Sequence, residues 1–532
     1  MNYIILSFSV IVLLVSVTVS YIVIFHPARV MAHNGLLFVS NAAKAHIACM
    51  KAAKYVRNVM YVKIKINAEN SSQVIGRQIV NIYTKAQTNI DIRLMVKPYE
   101  KSKDIITRQP IDLIMYDSES AKEVEVLRKS VKSLDRGYRL QNIDTSDSPI
   151  ENNVNEEVKA YEYVALGGTF DRLHNGHKIL LSQAVLRSTR HVTVGVTDVN
   201  MIQSKKLWEL IEPVEKRIET VLQFLNDINP DLEYNVFPLK DLYGPTKDDP
   251  KFQLIVVSEE TVRGAVKINE KRQEKNLKKL DTYVIELAQD SHPRRHHEEE
   301  DKVSSSNQRM RLLGTLLRPP RPNPNIPDWP YVIGLAGGIA SGKSNIAEKL
   351  KSKGAAIINC DIIAHELYRP GLPLNTTIAQ SFGDHVITSD GEVDRRKLGQ
   401  IVFSDKSQLQ KLNELVWPAV IEETQRRVVA LGKQGYKVVV MEAAVMVRAK
   451  WYERCHQLWA VIIPPDEAIK RLQKRNGLTE EEARQRIEAQ PSNSEQVAHA
   501  NIVFSPFWSY EYTQSQIDRA WQQLNEYLDN KK

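Results

Sequence analysis

Short runs of consecutive apolar residues alternate along this chain with longer stretches in which apolar residues return every three or four positions. Residues 163–166, 192–196, 254–257, 331–336, 355–358 and 438–441 are apolar runs of strand length. Ile179, Leu180, Ala184 and Leu186, and later Ile346, Ala347 and Leu350, have helical spacing instead. This alternation is expected where parallel strands, buried on both faces, are joined by crossover helices. Ile517, Ala520, Trp521, Leu524, Tyr527 and Leu528 predict a closing amphipathic helix that serves packing. The pattern therefore predicts an α/β chain with two doubly wound parallel-sheet domains after an amino-terminal extension.

Residues 3–25 form a separate kind of run, apolar and free of charge, long enough to span a bilayer as a helix. Arg29, Lys44, Lys51, Lys54, Arg57, Lys63 and Lys65 follow before the first acid, Glu69, which leaves the bulk of the chain on the cytoplasmic side of such an anchor. On that reading the protein faces the cytosol from a membrane, such as the mitochondrial outer membrane. Met31 opens an alternative start, which makes residues 1–30 a mispredicted segment and the protein cytoplasmic. Residues 31–155 contain strand-like stretches at 62–66 and 111–115 and end in a polar tract at 144–157 that reads as a linker. Arg318-Pro319-Pro320-Arg321-Pro322-Asn323-Pro324 cannot continue a helix or a central strand and predicts an extended, exposed connection. The expected divisions are residues 1–30, 31–155, 156–317, 318–330 and 331–532, with no internal repeat.

Composition narrows the function only a little. With 532 residues, 42% hydrophobic and 26% charged, the chain is neither disordered nor a small module. Its 72 basic and 64 acidic residues give +8, too mild to call for a nucleic-acid partner but compatible with anionic small substrates. Cys49, Cys360 and Cys455 are scattered and odd in number, which suggests neither a disulfide framework nor a zinc site. The run from His292 to Asp301 reads as a solvated loop.

Chemistry enters where two strands turn into helices. The strand at 163–166 passes through Gly167-Gly168-Thr169-Phe170-Asp171-Arg172-Leu173-His174-Asn175-Gly176-His177 into a helical pattern. Glycines let the backbone approach an anion, and the unpaired amides of a helix start favour phosphate. His174 and His177, three residues apart, can face that position and donate to an α-phosphate as charge develops on it. The second junction, after residues 331–336, is Gly337-Gly338-Ile339-Ala340-Ser341-Gly342-Lys343-Ser344, a full Gly-x4-Gly-Lys-Ser loop followed by a helix. Its amides cradle phosphates, Lys343 reaches the β and γ phosphates, and the Ser344 hydroxyl is the Mg²⁺ ligand. Asp361, after the strand at 355–358, is placed to accept the proton of an attacking hydroxyl. Glu442 ends another strand, and reads equally as a metal-positioning group or a solvent-facing carboxylate.

The first string resembles the nucleotidyltransferase superfamily, and Lys302-Val303-Ser304-Ser305-Ser306-Asn307-Gln308-Arg309 resembles its second nucleotide-binding signature. The resemblance implies that Thr169, His174 and His177 hold phosphates, that Gly168 and Phe170 also bind the nucleotide, and that Ser304, Ser305, Ser306 and Arg309 close over it. In the pantetheine-phosphate adenylyltransferase branch a lysine after the second strand neutralises the phosphates; Lys205 matches that place, and Arg263 is a weaker candidate. The second string, with Cys360-Asp361-Ile362-Ile363-Ala364-His365 and the stretch Asp390 to Gly399, resembles dephospho-coenzyme A kinase. That resemblance implies a lid from Arg475 to Gln490, with Arg475, Arg484 and Arg486 over the transferring phosphoryl group. Asn359 and Arg448 depart from the kinase pattern. Together the two halves are similar to the bifunctional coenzyme A synthases. The implied reactions are adenylylation of 4′-phosphopantetheine by ATP, then phosphorylation of dephospho-coenzyme A, with Mg²⁺ as cofactor. The rival reading joins another nucleotidyltransferase, such as a cytidylyltransferase, to a different P-loop kinase.

Overall fold

The computed structural model describes residues 31–65, 71–86, 89–97, 104–145, 158–286, 296–320, 322–324 and 326–531. The chain divides into two compact units, residues 1–307 and 308–532. The apolar run at 3–25, the tract at 146–157 and residues 287–295 lie outside the described residues. Among the described residues no helix is long and apolar enough to cross a membrane.

The first unit contains two five-stranded sheets, both parallel throughout. Strands β1 (Ala32–Val39), β2 (Val56–Ile64), β3 (Asp91–Leu94), β4 (Ile111–Asp117) and β5 (Leu134–Ile143) pair in the order 3-2-1-4-5. This sheet occupies the stretch that the sequence presents as an extension. β6 (Tyr161–Gly168), β7 (Ser188–Thr197), β8 (Glu233–Leu239), β9 (Leu254–Ser258) and β10 (Asp281–Ile285) pair in the order 8-7-6-9-10. Counted from its own first strand, the second sheet is again 3-2-1-4-5.

Alternate residues of each strand feed two cores, as the strand period of two requires. Leu37, Val39, Met60 and Val62 point into a core that also contains Val164, Leu166, Val192 and Val194 of the second sheet. Leu36, Phe38, Tyr61 and Ile114 point to a separate core on the opposite face. The helices Ser71–Lys85 and Asn175–Arg187 contribute Ile75, Ile79, Ile82, Ile179, Leu180 and Leu181 to the shared core, so the two sheets of this unit are built around common apolar packing.

The second unit holds β11 (Tyr331–Gly337), β12 (Ala356–Asn359), β13 (Val438–Glu442), β14 (Gln457–Val461) and β15 (Ile502–Phe504), all parallel, in the order 12-13-11-14-15. Val332, Val439 and Met441 face one core, while Tyr331, Ile333, Val438 and Val440 face the other. The predicted closing helix is Tyr510–Asn530, and it buries Ile517, Ala520 and Leu524 against the second of these. Both expected parallel-sheet domains are thus present, with a third sheet ahead of them.

Before the prolines, Leu316 bridges Ile502, the Leu317 amide donates to the Asn501 carbonyl at 2.7 Å, and Arg318 Nη1 donates to the Val497 and Ala500 carbonyls at 2.7 and 2.8 Å. The predicted connection is therefore fastened to β15 at its start. The described part of the histidine-rich run, residues 296–301, is a turn in which Glu299 is buried, a departure from the solvated loop expected there. All three cysteines are free and buried.

Candidate active sites

The first site grows from the end of β6, the central strand of its sheet, where the crossovers to either side diverge and a crevice opens. The turn after β6 holds Phe170 and Arg172 at φ of 50° and 49°, left-handed conformations that cost a non-glycine residue energy and that gather at functional loops. Phe170 is 1% exposed and its ring lies 5.2 Å from that of His177. The turn is braced from behind by Arg217, also 1% exposed, which donates to the carbonyls of Thr169 at 2.7 Å and Glu212 at 2.8 Å. Burial pulls the Arg217 guanidinium below its usual range. Asp171 is fully buried, accepting from Arg172 Nη1 at 2.9 Å and from the Glu212 amide at 3.1 Å.

His174 caps the helix Asn175–Arg187, its Nδ1 accepting from the His177 amide at 3.4 Å. The two imidazoles stack with centroids 3.8 Å apart. A Cβ on Gly176 would stand 3.2 Å from the His174 ring, a tight contact. The second signature is brought to the same turn from far along the chain: Ser305 Oγ donates to the Asp171 carbonyl at 3.1 Å, and Ser304 Oγ accepts from the Asn307 amide at 3.2 Å. Lys302 pairs with Glu260, which follows β9, tying that loop to the same signature. Gly168, Thr169, His174, His177, Ser304, Ser305 and Ser306 are all half-buried. Arg309 lies on the helix Ser305–Leu312 and is 1% exposed. Lys205 is exposed on the turns after β7, and Arg263 is exposed at the start of the helix Val262–Glu274.

The second site forms at the end of β11, central in its own sheet. Gly342, at φ 89°, turns the loop into the helix Lys343–Ser352, and a Cβ on Gly337 would stand 2.7 Å from Ser341 Oγ and 3.0 Å from the Val461 carbonyl. Parallel register places Leu335 of β11 opposite Glu442 of β13, so this carboxylate, 3% exposed, reaches the loop rather than solvent. Glu442 Oε1 stands 3.1 Å from Lys343 Nζ and accepts from Ser344 Oγ at 2.6 Å. The donor set of Ser344 hydroxyl and Glu442 carboxylate is hard and oxygen-only, which fits Mg²⁺ held together with substrate phosphates.

Asn359, one of the departures from the kinase pattern, caps the helix Cys360–Leu367 by accepting from the Asp361 and Ile362 amides at 3.0 and 3.1 Å. It thereby orients Asp361 at the wall of a cavity of about 730 Å³, shared with residues 337–345, Ala444, Arg471, Lys474, Arg475 and Gln490. Burial pushes the Asp361 carboxyl above the usual carboxylate range, against the opposing pull of Lys343. Burial likewise pushes the neighbouring Cys360 thiol up to about 12, which leaves it uncharged and unreactive.

The stretch from Arg475 to Gln490, where the resemblance implies a lid, starts in the helix Pro465–Asn476 and continues through the helix Glu480–Glu488. Ile469, Leu472 and Ala483 cluster with Ile339 and Ala340 of the glycine loop, and Gln490 Oε1 accepts from the Ile339 amide at 2.7 Å. Arg475 is exposed at the cavity, whereas Arg484 pairs with Glu480 at 2.9 Å and does not line it. Arg471 and Lys474 do line it, an addition that their spacing with Arg475 on one helical face carries in the sequence. Arg448 Nη1 stands 3.5 Å from the Ala489 carbonyl.

A parallel sheet whose central strand delivers a Gly-Lys-Ser loop, with a buried Glu442 behind that loop and Asp361, Arg471 and Arg475 at one cavity, defines a P-loop phosphotransferase. The chain belongs, through residues 331–506, to the dephospho-CoA kinase family. Residues 165–311 match the cytidylyltransferase-like family. The dephospho-CoA kinase of Carboxydothermus hydrogenoformans is 38% identical over 186 residues, 35% of this chain and 90% of the relative. That of Syntrophus aciditrophicus is 39% identical over 193 residues, 36% of this chain and 82% of the relative. Among solved structures, a dephospho-CoA kinase from Campylobacter jejuni is 23% identical with a TM-score of 0.30, covering 37% of this chain and 97% of that one. The protein is thus a transferase with a kinase domain and a nucleotidyltransferase-like domain on one chain.

Proposed function

We propose that this protein carries out two consecutive ATP-dependent steps, adenylylation of 4′-phosphopantetheine and phosphorylation of the resulting dephospho-coenzyme A on its ribose 3′-hydroxyl. The observation that carries the reading is a pair of glycine-bearing strand-to-helix turns, each at the carboxyl end of a central strand. One is lined by the stacked His174 and His177 with Ser305 brought beside them, the other by Lys343, Ser344 and Asp361.

In the first step a phosphate oxygen of 4′-phosphopantetheine attacks the α-phosphorus of ATP in line, and pyrophosphate leaves. His174 and His177 donate to the oxygens on which charge grows, and Thr169 and the serines at 304–306 fix the nucleotide. In the second step the 3′-oxygen attacks the γ-phosphorus, ADP leaves, and Asp361 takes the hydroxyl proton. That carboxyl, at the wall of the cavity, holds its proton more tightly than the usual aspartate, which suits a base. Lys343 neutralises the transferring group, Arg475 with Arg471 and Lys474 closes over it, and the lid excludes water. Ser344 and Glu442 would hold Mg²⁺, which supplies charge neutralisation on the ATP phosphates.

Supplying ATP, Mg²⁺ and 4′-phosphopantetheine and reading products by mass tests the whole sequence of steps. His177→Ala is expected to abolish adenylyl transfer while sparing kinase activity on supplied dephospho-coenzyme A, and Lys343→Met to do the reverse. If either substitution stopped both half-reactions in a folded protein, the two-site assignment would be wrong. CTP in place of ATP addresses the alternative nucleotide that the match of residues 165–311 names; turnover with CTP alone would overturn the adenylyl reading. Anchoring by residues 3–25 is a separate proposal resting on their apolar run, and carbonate extraction of membranes tests it.

A further inference from the structure

The helix Asn175–Arg187, which begins at the histidine pair, is fastened along its length to the sheet that precedes it. The Asn175 side-chain amide donates to the Tyr83 carbonyl at 2.8 Å. Lys178 Nζ donates to Asp91 Oδ1 at 2.5 Å and to the Ile92 carbonyl at 3.3 Å. Gln183 donates to the Gly76 carbonyl at 2.9 Å, where the two helices come so close that a Cβ on Gly76 would stand 3.1 Å from Leu186. Asn175 directly follows His174 and Lys178 directly follows His177, so each imidazole is chained to a residue whose side chain is held from outside its own sheet.

The anchor at the far side is rigid. Arg93 donates to Asp91 Oδ2 through both Nε at 3.0 Å and Nη2 at 2.8 Å, so the arginine holds one carboxylate oxygen while Lys178 holds the other. Arg93 also pairs with Asp227, which accepts from the Tyr61 hydroxyl at 3.3 Å and the Arg108 amide at 3.2 Å. Burial pushes the Asp91 carboxyl up, and Lys178 and Arg93 together outweigh it and hold it below the usual range. Lys178 is 6% exposed, so its ammonium cannot trade Asp91 for water without moving the helix start. The pair is half-buried, with the Lys178 side chain 7% and the Asp91 side chain 34% exposed, and contributes little net stability.

We propose that the amino-terminal sheet is a positioning element for the adenylyl-transfer histidines, acting through Asp91 on Lys178 and through the Tyr83 carbonyl on Asn175. The inference rests on the adenylyltransferase reading above. It gives the first sheet a task that its own strand ends, which lack the glycine and histidine string, do not suggest. Misplacing a charge-stabilising donor by about 1 Å costs on the order of 100-fold in rate.

The test is steady-state adenylyl transfer by the full chain carrying Asp91→Asn, Lys178→Met or Asn175→Ala, with dephospho-coenzyme A phosphorylation as the internal control. The expected result is a kcat for adenylyl transfer lowered about 10- to 100-fold by either ion-pair variant and about 5-fold by Asn175→Ala, the milder change. KM for ATP should stay near its wild-type value and kinase turnover should be untouched. Asp91→Glu, which keeps the charge, should recover most of the rate. ATP-binding stoichiometry at the first site, measured in a Lys343→Met background, separates positioning from damage: kcat should fall while the number of sites does not. Wild-type kcat in all three variants, or a fall that tracks lost binding sites, would overturn the inference and leave the adenylyl reading standing. A wild-type protein that makes no adenylylated product would remove both.

Discussion

Asp361, the proposed base of the second step, carries a stability signature that its role predicts. Its folded-state proton affinity is raised by burial, so folding favours the protonated form. Stability contributed by this group is present at low pH and lost as pH rises from the ordinary aspartate value through the raised one. At neutral pH the charged form is carried at a cost to the fold. Asp361→Asn removes that cost together with the base. Kinase turnover is expected to fall about 10²- to 10⁴-fold, while the melting temperature at neutral pH is no lower than wild type. The difference in melting temperature should shrink as the pH falls towards and below the ordinary aspartate range, where the wild-type carboxyl takes up its proton. A variant that is inactive and also less stable at neutral pH would contradict the assignment of a strained base. Lys343, Ser344, His174 and His177 are legible in the sequence because a strand, a glycine turn and a helix start are encoded in one short consecutive stretch. Glu442 is not decided there. Whether a strand-end carboxylate meets solvent or the loop depends on its register against Leu335 of β11, a strand far away along the chain. The same holds for Asp91 and Lys178, which are meaningless until two sheets meet.

Among elements, legibility follows burial. β9 and β13 are continuous apolar strings because both faces of a parallel strand are covered, and the sequence displays them plainly. β5, Leu-Asp-Arg-Gly-Tyr-Arg-Leu-Gln-Asn-Ile, and β10, Asp-Thr-Tyr-Val-Ile, are edge strands with exposed sides, and only their pairing identifies them. The three-residue β15 is too short for any periodicity. The glycine loop of the second unit is an element in which space, not only φ, selects the residue. A Cβ on Gly337 would meet Ser341 Oγ at 2.7 Å and the Val461 carbonyl at 3.0 Å, and the carbonyl cannot retreat without loosening the β11–β14 pairing. Gly337→Ala is therefore expected to destabilise the second unit by about 1–3 kcal/mol. Its kinase kcat/KM should drop by a factor of about 10 or more, read by thermal melts and by assay on dephospho-coenzyme A. Adenylyl transfer should be spared.

At the scale of the molecule, two sheets in the first unit repeat one strand order, 3-2-1-4-5, without a repeat visible in the sequence. Strand order is set by crossovers and packing, which many unrelated apolar strings satisfy. What the sequence does not disclose is that these sheets share a core. Ile75, Ile79, Ile82 and Tyr83 of the first sheet's helix are buried among the same group as Ile179, Leu180, Leu181, Leu225 and Ile228. Each large apolar side chain stripped of its cover forfeits about 1.5–3 kcal/mol, against a total stability on the order of 5–15 kcal/mol for a domain. A chain begun at residue 158 is thus expected to lose the fold of its first unit, even though both nucleotidyltransferase signatures remain. It should give a broad or absent thermal transition for that unit, exposed apolar surface by dye binding, and no adenylyl transfer. Residues 308–532, whose cores lie within that unit, should melt cooperatively when expressed alone and phosphorylate dephospho-coenzyme A at the full-length rate. A chain begun at residue 158 whose first unit melts cooperatively and transfers adenylyl groups at the full-length rate would show instead that the first sheet is an appendage, and the dependence of the histidine helix on its neighbour would fall with it.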